Sequence, residues 1–299
     1  MKLVFPLVVI CTLSCYLSGA KVTANENKTV SNQTADPRVS LAPGWYVNGD
    51  LFAQYNSMGA FALFEMTYNK PLTEKMNMVW SHLELGYHTG VSPTSSSVGV
   101  HGEWMPAAIF RLRLLYDFNI FHGAYGSLVE AENPDVPHDE DDISKPSLGG
   151  PGIGHRVMLY PVLQMMYRGL ALRNQNELMF FGVHTDSPYW FNWQIESFSK
   201  ASDFVFTERV NVMYDLLVKY KSRYLFVGPF YSLALQTGAN YRRQQVGIDI
   251  YAEPFDSVGK KVIPHFMLIT GFNLEETYRK HEFVVIVNVG INVDKRRSL

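Results

Sequence analysis

The sequence predicts an all-β fold, a transmembrane antiparallel up-and-down β-barrel of about twelve strands, with about ten to fourteen compatible with the pattern. Three observations predict this fold. Apolar and polar residues alternate along many segments, some of these segments are longer than the strands of globular proteins, and long connectors tend to alternate with short ones. The first observation predicts the strands, the second the membrane and the third the barrel.

The alternation is clearest between residues 108 and 121. The even positions are apolar or aromatic: Ala108, Phe110, Leu112, Leu114, Tyr116, Phe118 and Ile120. The odd positions are mostly polar and include Arg111, Arg113 and Asp117. Because successive side chains of a strand point to opposite faces, this segment is predicted to be a strand with one apolar face. A helix would spread the charged residues around its circumference.

The same alternation divides the rest of the chain into predicted strands. They lie near residues 46–56, 59–68, 77–88, 98–105, 108–121, 155–171, 177–185, 203–218, 223–237, 242–253, 261–273 and 282–293. Connectors are expected to be short at 105–107, 219–222 and 254–260, and long at 88–97, 123–154 and 185–202. Transmembrane barrels have long loops at one end and tight turns at the other, so this asymmetry favours a barrel.

The N-terminal residues predict an export signal that precedes the barrel. Lys2 is followed by an apolar run at residues 3–13 and then by small residues, so residues 1–20 are expected to be a signal peptide. Residues 21–44 are polar and are expected to form a disordered periplasmic lead-in, which leaves residues 45–299 for the barrel. Cys11 and Cys15 both lie in the signal, so the exported chain is expected to lack disulfides. A lipidated Cys15 is the alternative.

Composition excludes other classes of protein. The chain has 299 residues, of which 47% are hydrophobic and 18% charged, and its net charge is -2. No basic surface for nucleic acid is therefore expected, and no cofactor is expected either. After the signal, no apolar run reaches the roughly 20 residues that a membrane-spanning helix needs.

Alternation alone also fits a soluble exported β-domain, in which the apolar faces point inward. Spanning strands need about nine to eleven residues, and segments 108–121 and 204–218 reach that length. Aromatic residues also lie near strand ends, where the girdles of a membrane barrel are found: Tyr87, Tyr116, Phe118, Tyr167 and Phe204. Both features favour the membrane barrel.

With this pattern, residues Tyr46 to Val293 resemble bacterial outer-membrane β-barrels of the porin-like kind. The resemblance implies a location in the cell outer membrane, contact with outer-membrane lipid and lipopolysaccharide, and folding by an outer-membrane assembly machinery that reads the last strand. Such strands usually end in an aromatic residue. Here the last predicted strand is followed by residues 294–299, which contain no aromatic residue.

If the apolar faces contact lipid, the polar faces line the lumen, because Arg or Lys on the lipid face at mid-depth costs about 2–4 kcal/mol. The residues predicted to line the lumen are His82, Glu84, His88, His101, Glu103, Arg111, Arg113, Asp117, Arg156, Arg168, Arg209, Asp215, Arg243, Asp249 and Glu253.

Two interpretations of this lumen remain open. In the favoured one, the protein is a porin-like passive channel for small solutes, with a mixed-charge lumen that contains arginines able to bind carboxylate or phosphate. In the other, the side chains pair across strands and plug the barrel, with Arg111 and Arg113 against Glu103 and His101. The protein would then be a non-conducting structural or surface-binding barrel.

An enzyme is the third interpretation, in the form of a membrane-embedded lipid hydrolase. Hydrolases of this kind that resemble serine hydrolases carry His and Ser two positions apart on one strand face, and no histidine of this chain has that spacing. Ser81 and His82 point to opposite faces. No catalytic residue is therefore expected. A metal bound by His82, His88, His101, Glu84 and Glu103 is an alternative to the favoured hydrogen bonding within the lumen.

Two predicted loops carry further candidates. Residues 130–142 are rich in carboxylates, and Asp139, Glu140, Asp141 and Asp142 are weak candidate metal ligands. A solvated loop is the favoured interpretation, because the spacing of an EF-hand is absent. Residues 188–193 form an aromatic cluster that either binds a sugar, lipid or partner or packs over the barrel mouth, and packing is favoured.

Overall fold

The computed structural model describes residues 43–55, 59–72, 81–123, 127–133, 149–192, 197–217, 224–239, 241–254, 262–276 and 282–293. The predicted signal peptide at 1–20 and the lead-in, except for its last two residues, lie outside these described residues. None of the described residues belongs to a helix long and apolar enough to cross a bilayer.

The described residues form fifteen strands: β1 (Gly44–Tyr55), β2 (Gly59–Pro71), β3 (His82–Val91), β4 (Ser95–Ala107), β5 (Phe110–His122), β6 (Glu130–Ala131), β7 (Pro151–Tyr167), β8 (Leu170–Val183), β9 (Tyr189–Asn192), β10 (Ser197–Lys200), β11 (Ser202–Asp215), β12 (Tyr224–Gln236), β13 (Tyr241–Glu253), β14 (Val262–Glu276) and β15 (Phe283–Val293). Strands β6, β9 and β10 make a small separate sheet, and the other twelve close into an antiparallel barrel in chain order, with β1 paired to β15. The predicted fold class is confirmed.

The predicted strands differ from the observed ones mainly at turns. Residues 105–107 are not a turn, because β4 continues to Ala107 and residues 108–109 form the turn instead. The long connector predicted at 88–97 is also wrong, since only residues 92–94 join β3 to β4.

The turn between β7 and β8 lies earlier than predicted. Arg168 and Gly169 form it, with φ of 48° and 87°. Two successive residues with positive φ make the tight type of hairpin turn whose twist matches the strands it joins. Arg168 is therefore exposed in this turn, and its predicted position in the lumen is wrong.

The two longest connectors are residues 123–150 and 184–201. They follow β5 and β8, which are the fifth and the seventh strands of the ring, so both connectors lie at the same end of the barrel. We call this the loop end. The two-residue turns 108–109 and 168–169 lie at the opposite end, which we call the turn end. The predicted asymmetry thus holds for the longest connectors and the tightest turns.

The two faces of the barrel differ in polarity as the alternation predicts. In β5 the side chains of Leu114 and Tyr116 are exposed on the outside, whereas Asp117 between Tyr116 and Phe118 is fully buried inside. Large apolar side chains are exposed in the same way on the other strands of the ring. An exposed apolar belt of this extent needs lipid around it.

Exposed aromatic residues form two girdles at the ends of this belt. Those at the turn end are Trp45, Tyr68, Trp104, Tyr167 and Tyr214, and those at the loop end are Phe180, Phe204, Phe272 and Phe283. The ring centroids of Trp45 and Tyr68 are 5.4 Å apart, and those of Phe272 and Phe283 are 5.1 Å apart. Aromatic girdles at both ends are characteristic of barrels that span a bilayer.

The small sheet packs onto the lumen at the loop end. We call β6, β9, β10 and Leu128 the cap. Trp190 of β9 and Leu128 are buried against inner-face side chains of the barrel: Met179, Phe181, Val183, Val205 and Tyr241. The Trp190 ring lies 5.7 Å from that of Phe121 and 6.3 Å from that of Phe181, centroid to centroid. This agrees with the prediction that the aromatic cluster packs over the barrel mouth.

A carboxylate at the barrel rim ties the cap to the wall. Asp203, the second residue of β11, accepts hydrogen bonds from the Lys200 and Gly238 amides at 3.1 and 2.8 Å. It also accepts one from Gln236 Nε2 at 2.6 Å, and the same amide group donates to the carbonyl of Phe198 in the cap at 3.0 Å. The cap is therefore held by polar contacts as well as by its apolar core.

A lipid belt predicts that the cost of a charge depends on depth. Val100, in the middle of β4, and Ile109, at the turn end, are exposed to the same degree, 58% and 60%. We expect Val100→Arg to lower the free energy of unfolding by about 2–4 kcal/mol and Ile109→Arg by about 0–1 kcal/mol. Denaturant titration in phospholipid vesicles measures both values. Equal costs would contradict a bilayer around this belt.

Candidate functional site

Charged side chains concentrate on one side of the lumen, on the inner face of five adjacent strands from β2 to β7. We call this surface the charged wall: Glu65, His82, Glu84, His88, His101, Glu103, Arg111, Arg113, Asp117 and Arg156. Every second residue of a strand points inward, so segments far apart in sequence share this surface. The sequence predicts all of these lumenal residues except Glu65.

Asp117 is the most enclosed carboxylate of the wall. Arg156 lies directly opposite it on β7, and Arg156 Nε donates to Asp117 Oδ2 at 2.8 Å. Arg156 Nη2 contacts the same oxygen, and His88 Nε2 contacts Oδ1. Gly99 lies opposite Asp117 on β4, where a Cβ would come within 2.5 Å of His88 Nε2. The glycine therefore leaves the space in which the histidine reaches the carboxylate.

The two buried histidines of β3 and β4 lie side by side. The rings of His88 and His101 have centroids 5.7 Å apart and planes 26° apart, and their Nδ1 atoms are 3.5 Å apart. His101 Nε2 lies 3.1 Å from Thr67 Oγ1. Gly86 lies opposite His101, and a Cβ there would be 2.6 Å from His101 Nε2. A larger residue at 86 would displace the ring.

A second cluster lies nearer the turn end. Glu84 and Glu103 are directly opposite each other on β3 and β4, and both are buried. His82 Nε2 is 3.5 Å from Glu84 Oε1 and 3.2 Å from Glu103 Oε1. Arg111 Nε lies 3.9 Å from Glu103 Oε2. Like charges directly opposite in a sheet are destabilising, so His82 and Arg111 help to compensate the pair.

The predicted pairing of the two arginines is only partly right. Arg111 approaches Glu103, but Arg113 pairs with Glu65 instead, although Glu103 lies opposite it in the strand register. Arg113 of β5 thus reaches past β4 and β3 to β2 on the concave inner surface. His101 forms its side-chain contacts with His88 and Thr67, and Arg113 is a charged neighbour of His101 rather than its hydrogen-bond partner.

On the opposite side of the lumen, Asp249 is the centre of a smaller network. Arg209 Nη2 and Asn211 Nδ2 both donate to its carboxylate. The Arg209 guanidinium carbon also lies 4.2 Å from the ring centroid of Phe230, which is a cation–π arrangement. The sequence predicts Arg209 and Asp249 in the lumen, whereas their pairing follows from the register of β11, β12 and β13.

Asp50, Tyr251 and His265 form a third network with Glu253, and of these four residues only Glu253 was predicted to line the lumen. His265 Nε2 lies 2.8 Å from Asp50 Oδ1, and the His265 ring stacks on Tyr251 with centroids 6.1 Å apart. Tyr251 donates a hydrogen bond to Glu253 at 2.8 Å. Asp50 lies between Gly49 and Leu51 in β1, and this alternation could have predicted that Asp50 faces the lumen.

The remaining predicted residues have different outcomes. Asp215 is buried at the turn end, where its carboxylate accepts hydrogen bonds from the amides of Leu217 and Leu225 at 2.9 and 3.3 Å and so fixes a turn. Arg243 is half-buried on the inner face of β13. The acidic candidates at 139–142 lie outside the described residues.

Comparisons with known proteins give only distant structural likenesses. No protein family and no curated protein matches the sequence. The β domain of the Bordetella autotransporter BrkA is 10% identical, with a TM-score of 0.46 over 84% of this chain and 99% of that one. An outer membrane channel from Pseudomonas putida F1 is 11% identical, with a TM-score of 0.48 over 88% and 100%. LpxR from Salmonella typhimurium is 11% identical, with a TM-score of 0.41 over 83% and 99%.

The Asp117–Arg156 pair predicts a large, non-additive effect on stability. Asp117→Asn removes the buried carboxylate that Arg156 and His88 contact, and we expect a loss of about 1–3 kcal/mol in the free energy of unfolding. Asp117→Asn combined with Arg156→Met is expected to recover part of this loss, because no buried charge then lacks its partner. Denaturant titration in vesicles measures Asp117→Asn, Arg156→Met and the double variant.

The matched control is the exposed pair Arg242–Glu275, whose Nε and Oε2 atoms are 3.3 Å apart. Glu275→Gln is expected to cost about 0–1 kcal/mol, as is usual for exposed ion pairs. Purely additive effects of the two lumenal substitutions would show that Asp117 and Arg156 do not act as a pair.

Proposed function

We propose that this chain is an outer-membrane β-barrel whose lumen is closed at the loop end, so that it does not conduct solutes steadily in this conformation. It then acts as a structural or surface-binding barrel. Outer-membrane lipid and lipopolysaccharide are its surroundings, and the outer-membrane assembly machinery is the partner that inserts it. The single observation that carries the proposal is the packing of the cap, through Trp190 and Leu128, onto inner-face side chains of the barrel.

The charged wall supports the same proposal. Its carboxylates contact arginines or histidines of neighbouring strands: Glu65 with Arg113, Glu103 with His82 and Asp117 with Arg156. Arginines engaged in this way are less available to bind and pass anions.

A porin-like passive channel for small solutes is the second candidate. It is favoured by the partial exposure of lumenal arginines, whose side chains are 20% exposed in Arg113, 23% in Arg156 and 24% in Arg209. Solvent therefore reaches these side chains. On this alternative, the cap leaves the mouth before solutes pass.

Planar-bilayer recording separates the two candidates. We expect the refolded wild-type protein to show no steady single-channel steps once its incorporation has been verified. Combining Leu128→Ala with Trp190→Ala removes the two apolar side chains that seat the cap, and we expect this variant to open frequently. Trp104→Ala is the matched control, since Trp104 is exposed on the outer face. Steady steps from the wild type would overturn the closed barrel and favour the channel.

The expectation that the protein is not an enzyme is tested separately. We expect no hydrolysis of phospholipid or lipopolysaccharide by the refolded protein, with or without calcium, because no histidine has the spacing to serine that the hydrolase comparison requires. If the wild type releases fatty acid and a variant of the charged wall does not, the protein is instead a lipid hydrolase.

A further inference from the structure

The paired histidines of the charged wall lie next to a carboxylate, and the three side chains together could bind a metal ion. His88 lies on β3, His101 on β4 and Glu65 on β2, and one ligand atom from each of the three side chains lies within 4.8 Å of the other two. Two imidazoles and one carboxylate that converge from adjacent strands are a donor set used by transition metals. Because the strands belong to a closed barrel, the backbone holds these positions rigidly.

The distance between the Nδ1 atoms of the two histidines is long for a hydrogen bond and is compatible with two ligands of one metal ion. The Nδ1 atoms are 3.5 Å apart. A hydrogen bond from N–H has its heavy atoms about 2.7–3.2 Å apart. Two nitrogen ligands of a tetrahedral zinc ion, each about 2.0–2.1 Å from the metal, are about 3.3–3.5 Å apart. The two rings are therefore spaced as two corners of such a site.

The other ring nitrogens are held as metal-binding histidines usually are. His88 Nε2 contacts Asp117, whose other oxygen binds Arg156. In the tautomer that carries its proton on Nε2, Nδ1 directs a lone pair towards His101. His101 Nε2 lies 3.1 Å from Thr67 Oγ1. A carboxylate or hydroxyl behind each ligand fixes the tautomer and the ring orientation. Gly86 and Gly99 provide the space for these rings, as described above.

The charge of the wall also accommodates a cation. Among the described residues, the wall carries the carboxylates Glu65, Glu84, Glu103 and Asp117 against the guanidinium groups of Arg111, Arg113 and Arg156. With neutral histidines, four carboxylates face three guanidinium groups, so the net charge of these groups is -1. A bound divalent ion changes this net charge to +1. Glu65 accepts from Arg113 through Oε1, and it offers a ligand atom within 4.8 Å of those of His88 and His101.

We propose that His88, His101 and Glu65 form a binding site inside the barrel for a divalent transition-metal ion such as Zn²⁺ or Fe²⁺. Nitrogen donors select these ions over Ca²⁺ and Mg²⁺, which take oxygen ligands. Asp117 and Thr67 are positioning residues that orient the histidines. Three protein ligands leave one position of a tetrahedral site for water or another small ligand. This goes beyond the proposed function, because the site does not depend on whether the lumen conducts.

The test is a titration of the full-length exported chain, refolded in detergent without a histidine tag, with ZnCl₂ against a chromophoric chelator. We expect one equivalent of Zn²⁺ to bind, and Co²⁺ to give the ligand-field absorption of a site with nitrogen donors. Calcium is expected not to compete. A folded wild-type protein that binds no Zn²⁺ overturns the proposal. Heat-modifiable migration on a denaturing gel verifies folding of every sample.

Variants locate the site. His88→Gln and His101→Gln are each expected to weaken Zn²⁺ binding at least 100-fold, and Glu65→Gln is also expected to weaken it. Thr67→Val keeps all three ligands and removes only the hydroxyl behind His101, and a loss of about 10–100-fold is expected. His122→Gln, on an exposed histidine, is expected to bind as the wild type does. If one of the lumenal variants does not fold, the wild-type titration and the remaining variants still decide the question.

The second group of donors in the charged wall supplies the decisive control. His82, Glu84 and Glu103 also bring their ligand atoms within 4.8 Å of one another. We expect His82→Gln to leave the Zn²⁺ affinity within a few-fold of the wild type. Zn²⁺ binding that survives in His88→Gln and His101→Gln but is lost in His82→Gln would overturn the assignment to His88, His101 and Glu65.

Discussion

Backbone hydrogen bonding in a medium without water is the constraint on which this structure depends. At membrane depth each amide and carbonyl needs a partner within the protein, because an unsatisfied group costs several kcal/mol. The chain meets this requirement by closing a ring, with β1 bonded to β2 on one side and to β15 on the other. Closure fixes the register of every strand, and a slip of one residue would move its charged side chains from the lumen to the lipid.

The content of the lumen follows from this closure. Charges that the ring turns inward are removed from bulk water, so they need partners on neighbouring strands. Asp117 with Arg156 and Asp249 with Arg209 are examples on opposite sides of the barrel. Glycines opposite the larger rings, such as Gly86 opposite His101, make the space for these contacts. The cap adds an apolar layer at the loop end.

The sequence was sufficient for the strands and their faces because both depend on local periodicity. Alternation between Leu114, Asp117 and their neighbours assigns β5 to a membrane wall without knowledge of any other strand. It failed at Arg168, because the turn there depends on the backbone freedom of Gly169 and apolar residues continue on both sides. It also missed Glu65 and Asp50, whose strands carry apolar residues such as Phe61 and Tyr46 at inner-face positions too. The strands of the cap were not predicted, because β6, β9 and β10 have only two to four residues each, although the aromatic cluster at 188–193 was expected to pack over the barrel mouth.

The sequence by itself determined that this is a barrel of about twelve strands, with apolar residues outside and charged residues inside. Only the tertiary structure decided which charges meet. Arg113 pairs with Glu65 rather than with the adjacent Glu103, and the five histidines and glutamates proposed as one set divide into one group around His88 and another around His82. The physical reason is that partners in a barrel are chosen by the register and curvature of neighbouring strands. Neither is encoded in the periodicity of a single strand, which fixes only the face on which a side chain lies.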